Sequence, residues 1–231
     1  MGAWNTLHLF DSDQFYDEGV TRLRTDKERL KIDYSQFIKT HLIGGVYRFT
    51  KKELDELIDQ SVQTIIDTSN QFDSAFKKHN EYNAIVDYGD KRVYLNQHEH
   101  YHDFGQFLEY FLFKYFADFY PHLNCGEGGL YGRLVTKKVS VAAEIIGNLD
   151  SGEHYFCPDR LGIVNWISKE DTEILFHSKE DFYTSKDYDW LLTSFFQLVE
   201  VAYRNELGLI RGIDMREDVL MNADGPGEAG G

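Results

Sequence analysis

The sequence predicts an α+β domain, with amphipathic helices mainly in the first half, an antiparallel sheet in the second half and a C-terminal helix. Three observations lead there. A capping box opens an apolar stripe at Thr50, an aromatic stripe follows helical spacing from Phe104, and β-branched and aromatic runs beyond residue 130 are separated by Gly, Pro or Asp turns. Helices and strands segregated in this way give α+β rather than the alternating units of a parallel sheet.

Taken in order, short helices are expected around residues 12–24 and 26–40. Thr50-Lys-Lys-Glu53 is a capping box, after which Leu54, Leu57, Ile58, Val62, Ile65 and Ile66 recur on one face. Ala84–Tyr88 and Arg92–Leu95 flank Gly89-Asp90 and read as a hairpin. A helix is expected over 99–119, where Phe104, Phe107, Leu108, Phe111, Leu112, Tyr115, Phe116 and Phe119 form a stripe ahead of Pro121. Strands are expected near 131–146, 153–157, 161–167 and 172–177. The last helix spans about 187–207, with Trp190, Leu191, Ser194, Leu198, Val201 and Ala202 on or near its inward side and Gly208 as its stop. One globular domain over 1–221 is expected, followed by a disordered glycine-rich tail over 222–231.

Hydrophobic residues make up 42% of the 231, with 17 Phe and 15 Tyr, which is ample for a core. No apolar run approaches the ~20 residues of a membrane span, and the first residues lack the basic and apolar stretches of a signal peptide. A cytoplasmic protein is expected. Cys125 and Cys157 read as reduced thiols, with pairing between them left open.

Charge is the strongest compositional signal: 39 acids against 24 Lys and Arg give a formal −15. From Glu144 to Asp189 there are 11 acids and 4 bases, a net of −7. Such a field repels nucleic acid and anionic membranes and attracts a basic protein partner. Lys51-Lys52, Lys77-Lys78 and Lys137-Lys138 are scattered pairs, not a nucleic-acid stripe.

His98-Glu-His-Tyr-His102 matches H-E-x-x-H, the signature of the zincin metallopeptidases. On a helix, residues four apart share a face, so His98 and His102 could grip zinc while Glu99 served as base. Gly105 matches the glycine of the longer motif, but Leu108 stands where its third histidine belongs. Histidines at a helix start are the preferred reading, with no cofactor; a zinc hydrolase, with a further ligand from Glu127 or Glu144, is the alternative. The glycine-rich Asn124–Arg133 segment lacks the order of a phosphate loop and reads as a turn into a strand. Cys125 with His122 or His154 is a weaker nucleophile candidate, and no serine sits in a nucleophile elbow.

Asp181–Trp190 interleaves four aromatics with three acids. With Glu180, the residues Asp181, Tyr183, Asp187, Tyr188, Asp189 and Trp190 form the candidate partner surface, in which rings anchor and charges steer. In its acidic character and in its opening Met1-Gly-Ala-Trp-Asn-Thr-Leu-His-Leu-Phe-Asp11, the chain resembles the immunity proteins of bacterial toxin–immunity systems. The resemblance implies direct binding and neutralisation of a cognate toxin, whose basic domain would be the partner. A subunit or adaptor of a larger assembly is a further alternative.

Overall fold

The computed structural model describes residues 4–41, 46–72, 76, 104–127, 129–135, 140–151, 162–182 and 190–215. These fall into two compact units: one contains residues 4–15 and 116–215, the other residues 16–115. The fold is α+β with an antiparallel sheet, as the sequence predicts.

In the first unit, β1 (Trp4–Phe10), β2 (Ala117–Glu127), β3 (Gly162–Ile167) and β4 (Gly208–Ile213) form one sheet in the order β2-β1-β4-β3, every neighbouring pair antiparallel. The strand nearest the start of the chain therefore lies inside the sheet, paired with the last. Leu7 faces Arg211 and Leu9 faces Leu209 across that pair. Helices α6 (Tyr131–Leu134), α7 (Val141–Ser151), α8 (Lys169–His177) and α9 (Trp190–Arg204) belong to the same unit. Leu7, Leu9 and Leu209 share a core with Ile146, Leu149, Leu175, Phe195 and Val199. On the opposite face Phe10, Phe15 and Trp166 meet at centroid separations of 5.6–5.7 Å. With both faces buried, β3 and β4 are covered along their whole length.

The described residues of the second unit are mainly helical. From the short helix α1 (Ser12–Gln14) of the first unit, a π-helical turn, Phe15–Gly19, leads into α2 (Val20–Thr25), α3 (Lys27–His41), α4 (Lys51–Ser69) and α5 (Phe104–Tyr115). The Thr50 capping box forms: Glu53 N donates to Thr50 Oγ1 at 3.3 Å and Thr50 N to Glu53 Oε2 at 2.8 Å. Gly105 is the second residue of α5, which buries Phe107, Leu108, Phe111 and Leu112.

Four local expectations are corrected. The aromatic stripe does not stay helical to 119, because the chain turns at Phe116 and Ala117 and Asp118 pair with Phe10 and Leu9 of β1. Helices replace the strand expected over 131–146: in α7, Ala142, Ile145, Ile146 and Leu149 are buried at helical spacing, and Ser140 Oγ caps Ala143 N at 3.2 Å. The segment 172–177 is also helical, nucleated by a capping box in which Ser168 and Asp171 bond each other's backbone amides at 3.2 Å. Finally, α9 ends at Arg204 and is closed by Glu206, not by Gly208. Glu206 takes φ +56°, its N–H reaches Tyr203 O at 3.1 Å, and Leu207 N reaches Ala202 O at 2.9 Å, a Schellman cap. Gly208 opens β4, where a Cβ would lie 2.1 Å from Ile167 O. The hairpin around Gly89-Asp90, the start of the 99–119 segment, the 153–157 segment and the tail lie outside the described residues.

These last two positions should respond oppositely. Glu206→Gly is expected to raise stability by about 1 kcal/mol by relieving the left-handed conformation, whereas Gly208→Ala should cost about 1–3 kcal/mol through the clash. Urea midpoints of the two variants test this, and a gain for Gly208→Ala would refute it.

His8 sits fully buried on β1. A carbonyl can only accept, so His8 Nδ1 donates to Phe119 O at 3.0 Å and Nε2 accepts from the Thr6 hydroxyl at 2.9 Å. Burial lowers its pKa to about 4, with the neighbouring His122 acting in the same direction and the Phe119 bond against it. Below the ordinary histidine pKa of about 6.5 the unfolded chain takes up a proton that the folded chain refuses. Stability should therefore fall by up to about 3 kcal/mol as pH drops from 6.5 to 4. Urea unfolding at pH 7, 5.5 and 4.5 should show this slope weakened in His8→Gln; equal slopes would exclude His8 as its source.

Candidate functional site

The acidic surface is built on α8, the 3-10 turn that follows it and α9. The capping box at Ser168 starts α8, and its solvent lane carries Glu170, Glu173 and Ile174. The turn Lys179–Asp181 then presents Glu180 and Asp181, both exposed. Phe182 closes the turn and packs on Phe196 at 5.3 Å, which fastens it to α9. The first residue of that helix is Trp190, whose ring is 52% exposed although the helix is otherwise anchored by Leu191, Phe195 and Val199. Of the expected partner residues, Glu180, Asp181 and Trp190 are thus carried at the surface by one helix and a turn packed against it. Tyr183, Asp187, Tyr188 and Asp189 lie outside the described residues. Glu170 and Glu173 join this surface without having been singled out; their spacing after a capping box is the signal that marks them.

Beneath α8 and α9, Phe176 stacks on Tyr203 at 4.3 Å with 13° between the rings. Lys179 Nζ lies 5.3 Å from the Phe176 centroid, and His177 Nε2 lies 3.9 Å from Glu173 Oε1. Lys179 therefore has an aromatic neighbour and His177 an acidic one.

The glycine-rich segment carries a second polar cluster, in the core. Arg211 is 5% exposed, and its Nη2 donates to Asn5 Oδ1 at 2.5 Å while Nη1 donates to Asp150 O at 2.5 Å. The Asp150 carboxylate lies 3.4 Å from Nη1 and accepts from Leu130 N at 2.5 Å. Burial lowers the Arg211 pKa from its ordinary value, and Asp150 opposes that shift. Arg133 donates to Cys125 O, and Gly126, at φ +72°, donates its N–H to Asn124 Oδ1 at 2.8 Å. These loop amides are spent on the protein's own acceptors, so the segment is a structural turn. It leads from β2 into α6, not into a strand.

Cys125 has a free, buried thiol, and burial pushes its pKa up to about 12 against the pull of Arg211 and Arg133. It packs with Leu7 in the core, whereas His122 packs on His8, whose alternation places it on the other face of the sheet. A protonated thiol on the opposite face from His122 cannot be activated by it. His154, His98, Glu99 and His102 lie outside the described residues. Glu144, an alternative metal ligand, is exposed on α7. Among the described residues no group of three His, Cys, Asp or Glu is placed to hold a metal, and no helix is long and apolar enough to cross a membrane.

No family model, curated protein or solved structure matches the chain.

The two clusters should respond differently to mutation. Asp150→Ala strands the Arg211 guanidinium in the core and is expected to cost about 3–5 kcal/mol. Glu180→Lys should stay within about 0.5 kcal/mol, as exposed substitutions do. Chemical denaturation distinguishes them, and a mild Asp150→Ala would show the buried pair to be dispensable.

Proposed function

We propose that the protein is an acidic binding protein that neutralises a cognate bacterial toxin by direct contact in the cytoplasm, in the manner of an immunity protein. The observation that carries this is the net −7 between Glu144 and Asp189. Glu180 and Asp181 on a solvent-facing turn and the half-exposed Trp190 support it. Carboxylates held at the surface steer a basic partner and raise its association rate, while an exposed tryptophan supplies the desolvated contact that slows dissociation. The partner is a basic protein domain with a cleft or patch complementary to this face. A stable complex would bury upwards of about 1,000 Å².

The test is surface plasmon resonance against the toxin encoded beside this protein's gene, across a salt series. Association should slow as salt shortens the Debye length to about 8 Å at physiological ionic strength. Glu180→Lys and Asp181→Lys together should slow it further, and Trp190→Ala should act on dissociation. Salt-insensitive association, or a contact surface away from α8 and α9, would rule the assignment out.

A further inference from the structure

The helical unit holds a charge cluster that the proposed partner surface does not use. Asp33 on α3 is 1% exposed and is shared by two cations. Arg22 Nε lies 3.6 Å from its Oδ2, and Lys114 Nζ lies 3.6 Å from its Oδ1. Tyr115 donates its hydroxyl proton to Oδ1 at 2.5 Å and so adds no charge. One carboxylate between two cations leaves a surplus of one positive charge. Lys114 is further occupied by Tyr110 Oη at 3.0 Å and by the Gln36 amide oxygen.

Arg22 is held differently. Its Nε points back towards Asp33, and its guanidinium carbon lies 4.2 Å from the Tyr115 ring centroid and 5.3 Å from that of Phe111. Its terminal Nη1 and Nη2 donate no hydrogen bond among the described residues. These nitrogens belong to a residue lining a cleft of about 680 Å³, together with Asp17, Glu18, Thr21, Asp26 and Arg29. Arg29 adds a second positive charge, and its guanidinium likewise makes no ion pair or hydrogen bond among the described residues. Its backbone N–H is fixed by the Asp26 carboxylate at 3.1 Å, and the same oxygen caps α3.

A guanidinium held by a carboxylate and two rings, with terminal donors that make no hydrogen bond among the described residues, is preorganised for bidentate binding of a planar or tetrahedral oxyanion. We propose that this cleft is a binding site for a small oxyanion, a phosphate or carboxylate group, clamped by Arg22 and Arg29 with the Thr21 hydroxyl as a further donor. Asp17, Glu18 and Asp26 also line the cleft, three carboxylates against two arginines, so binding rests on direct contact with Arg22 and Arg29 and not on net charge. A polyanion such as nucleic acid would meet these three carboxylates as well as the two arginines.

The site lies in a different unit from the acidic partner surface, so its failure leaves the toxin-binding reading untouched, and the reverse holds too. Isothermal titration of the full chain with inorganic phosphate, and separately with acetate, tests the proposal at constant ionic strength set by chloride. Saturable binding is expected, weakened about tenfold or more in Arg29→Gln, since a charge-assisted contact is worth at least that factor. Asp17→Asn should tighten it. Arg29 is exposed, so its replacement leaves the fold intact; Arg22→Gln is the companion variant, checked first for a native circular dichroism spectrum. Tighter binding of phosphate identifies a phosphoryl ligand, and tighter binding of acetate a carboxylate. No saturable binding of either anion, or binding unchanged in Arg29→Gln, would overturn the proposal.

Discussion

The pairing of β1 with β4 is the constraint on which the first unit rests. Residues 5–10 lie against residues 208–213 in unbroken antiparallel register, and each strand then offers its other edge to β2 or β3. Remove that pair and the sheet divides into two two-stranded ribbons, each of which is marginal in water on its own. The pair also places Arg211 opposite Leu7 and within reach of Asn5, so the buried ion pair with Asp150 depends on its register. A slip of one residue would turn Leu7 and Leu9 away from the helices and Arg211 out of its site. Its partners are some two hundred residues apart in sequence, so the contact is non-local and carries the entropy of closing the chain between them.

Charge is partitioned by burial. Among the described residues, acids are exposed on lanes such as Glu170–Glu173 and on the turn with Glu180 and Asp181. Inside, Asp33 and Arg211 each have opposite charge within 3.6 Å, from Arg22 and Lys114 in one case and Asp150 in the other. Burying either alone would cost several kcal/mol, and the partners offset that cost without making the pairs strong stabilisers. At the surface, acids such as Glu180 and Asp181 stay exposed, where their field reaches a partner through solvent.

How much of this was legible in the sequence follows from which forces are local. The Thr50 helix, α5 and α9 carry their own signal, an apolar stripe with 3.6-residue period. Residues 172–177 misled because Thr, Ile and Phe favour strands, yet Ser168-Lys-Glu-Asp171 just before them is a capping box, and the cap prevailed. Phe116 and Phe119 continue a helical stripe on paper; the chain instead turns at Phe116, and Phe119 lies in the strand that pairs with β1. Strand β1 itself shows little alternation because both faces are covered, so nothing marks it as a strand without its neighbours. At the candidate surface, Glu180, Asp181 and Trp190 could be read from composition. The Arg22–Asp33–Lys114 cluster could not, since it joins three helices and its members look like ordinary surface charges until they are packed.

Asp11 N donates to Phe116 O at 2.7 Å, and Phe10 pairs with Ala117. The chain thus leaves the first unit and re-enters it at adjacent points, with residues 16–115 in between. In the connectivity of the sheet, that hundred-residue excursion stands where a tight turn would join β1 to β2. The entropy of closing such a connection grows only slowly with its length. An arrangement of this kind is open to evolutionary exchange: one insert can be lengthened, shortened or swapped for another while the β1–β2 junction stays as it is.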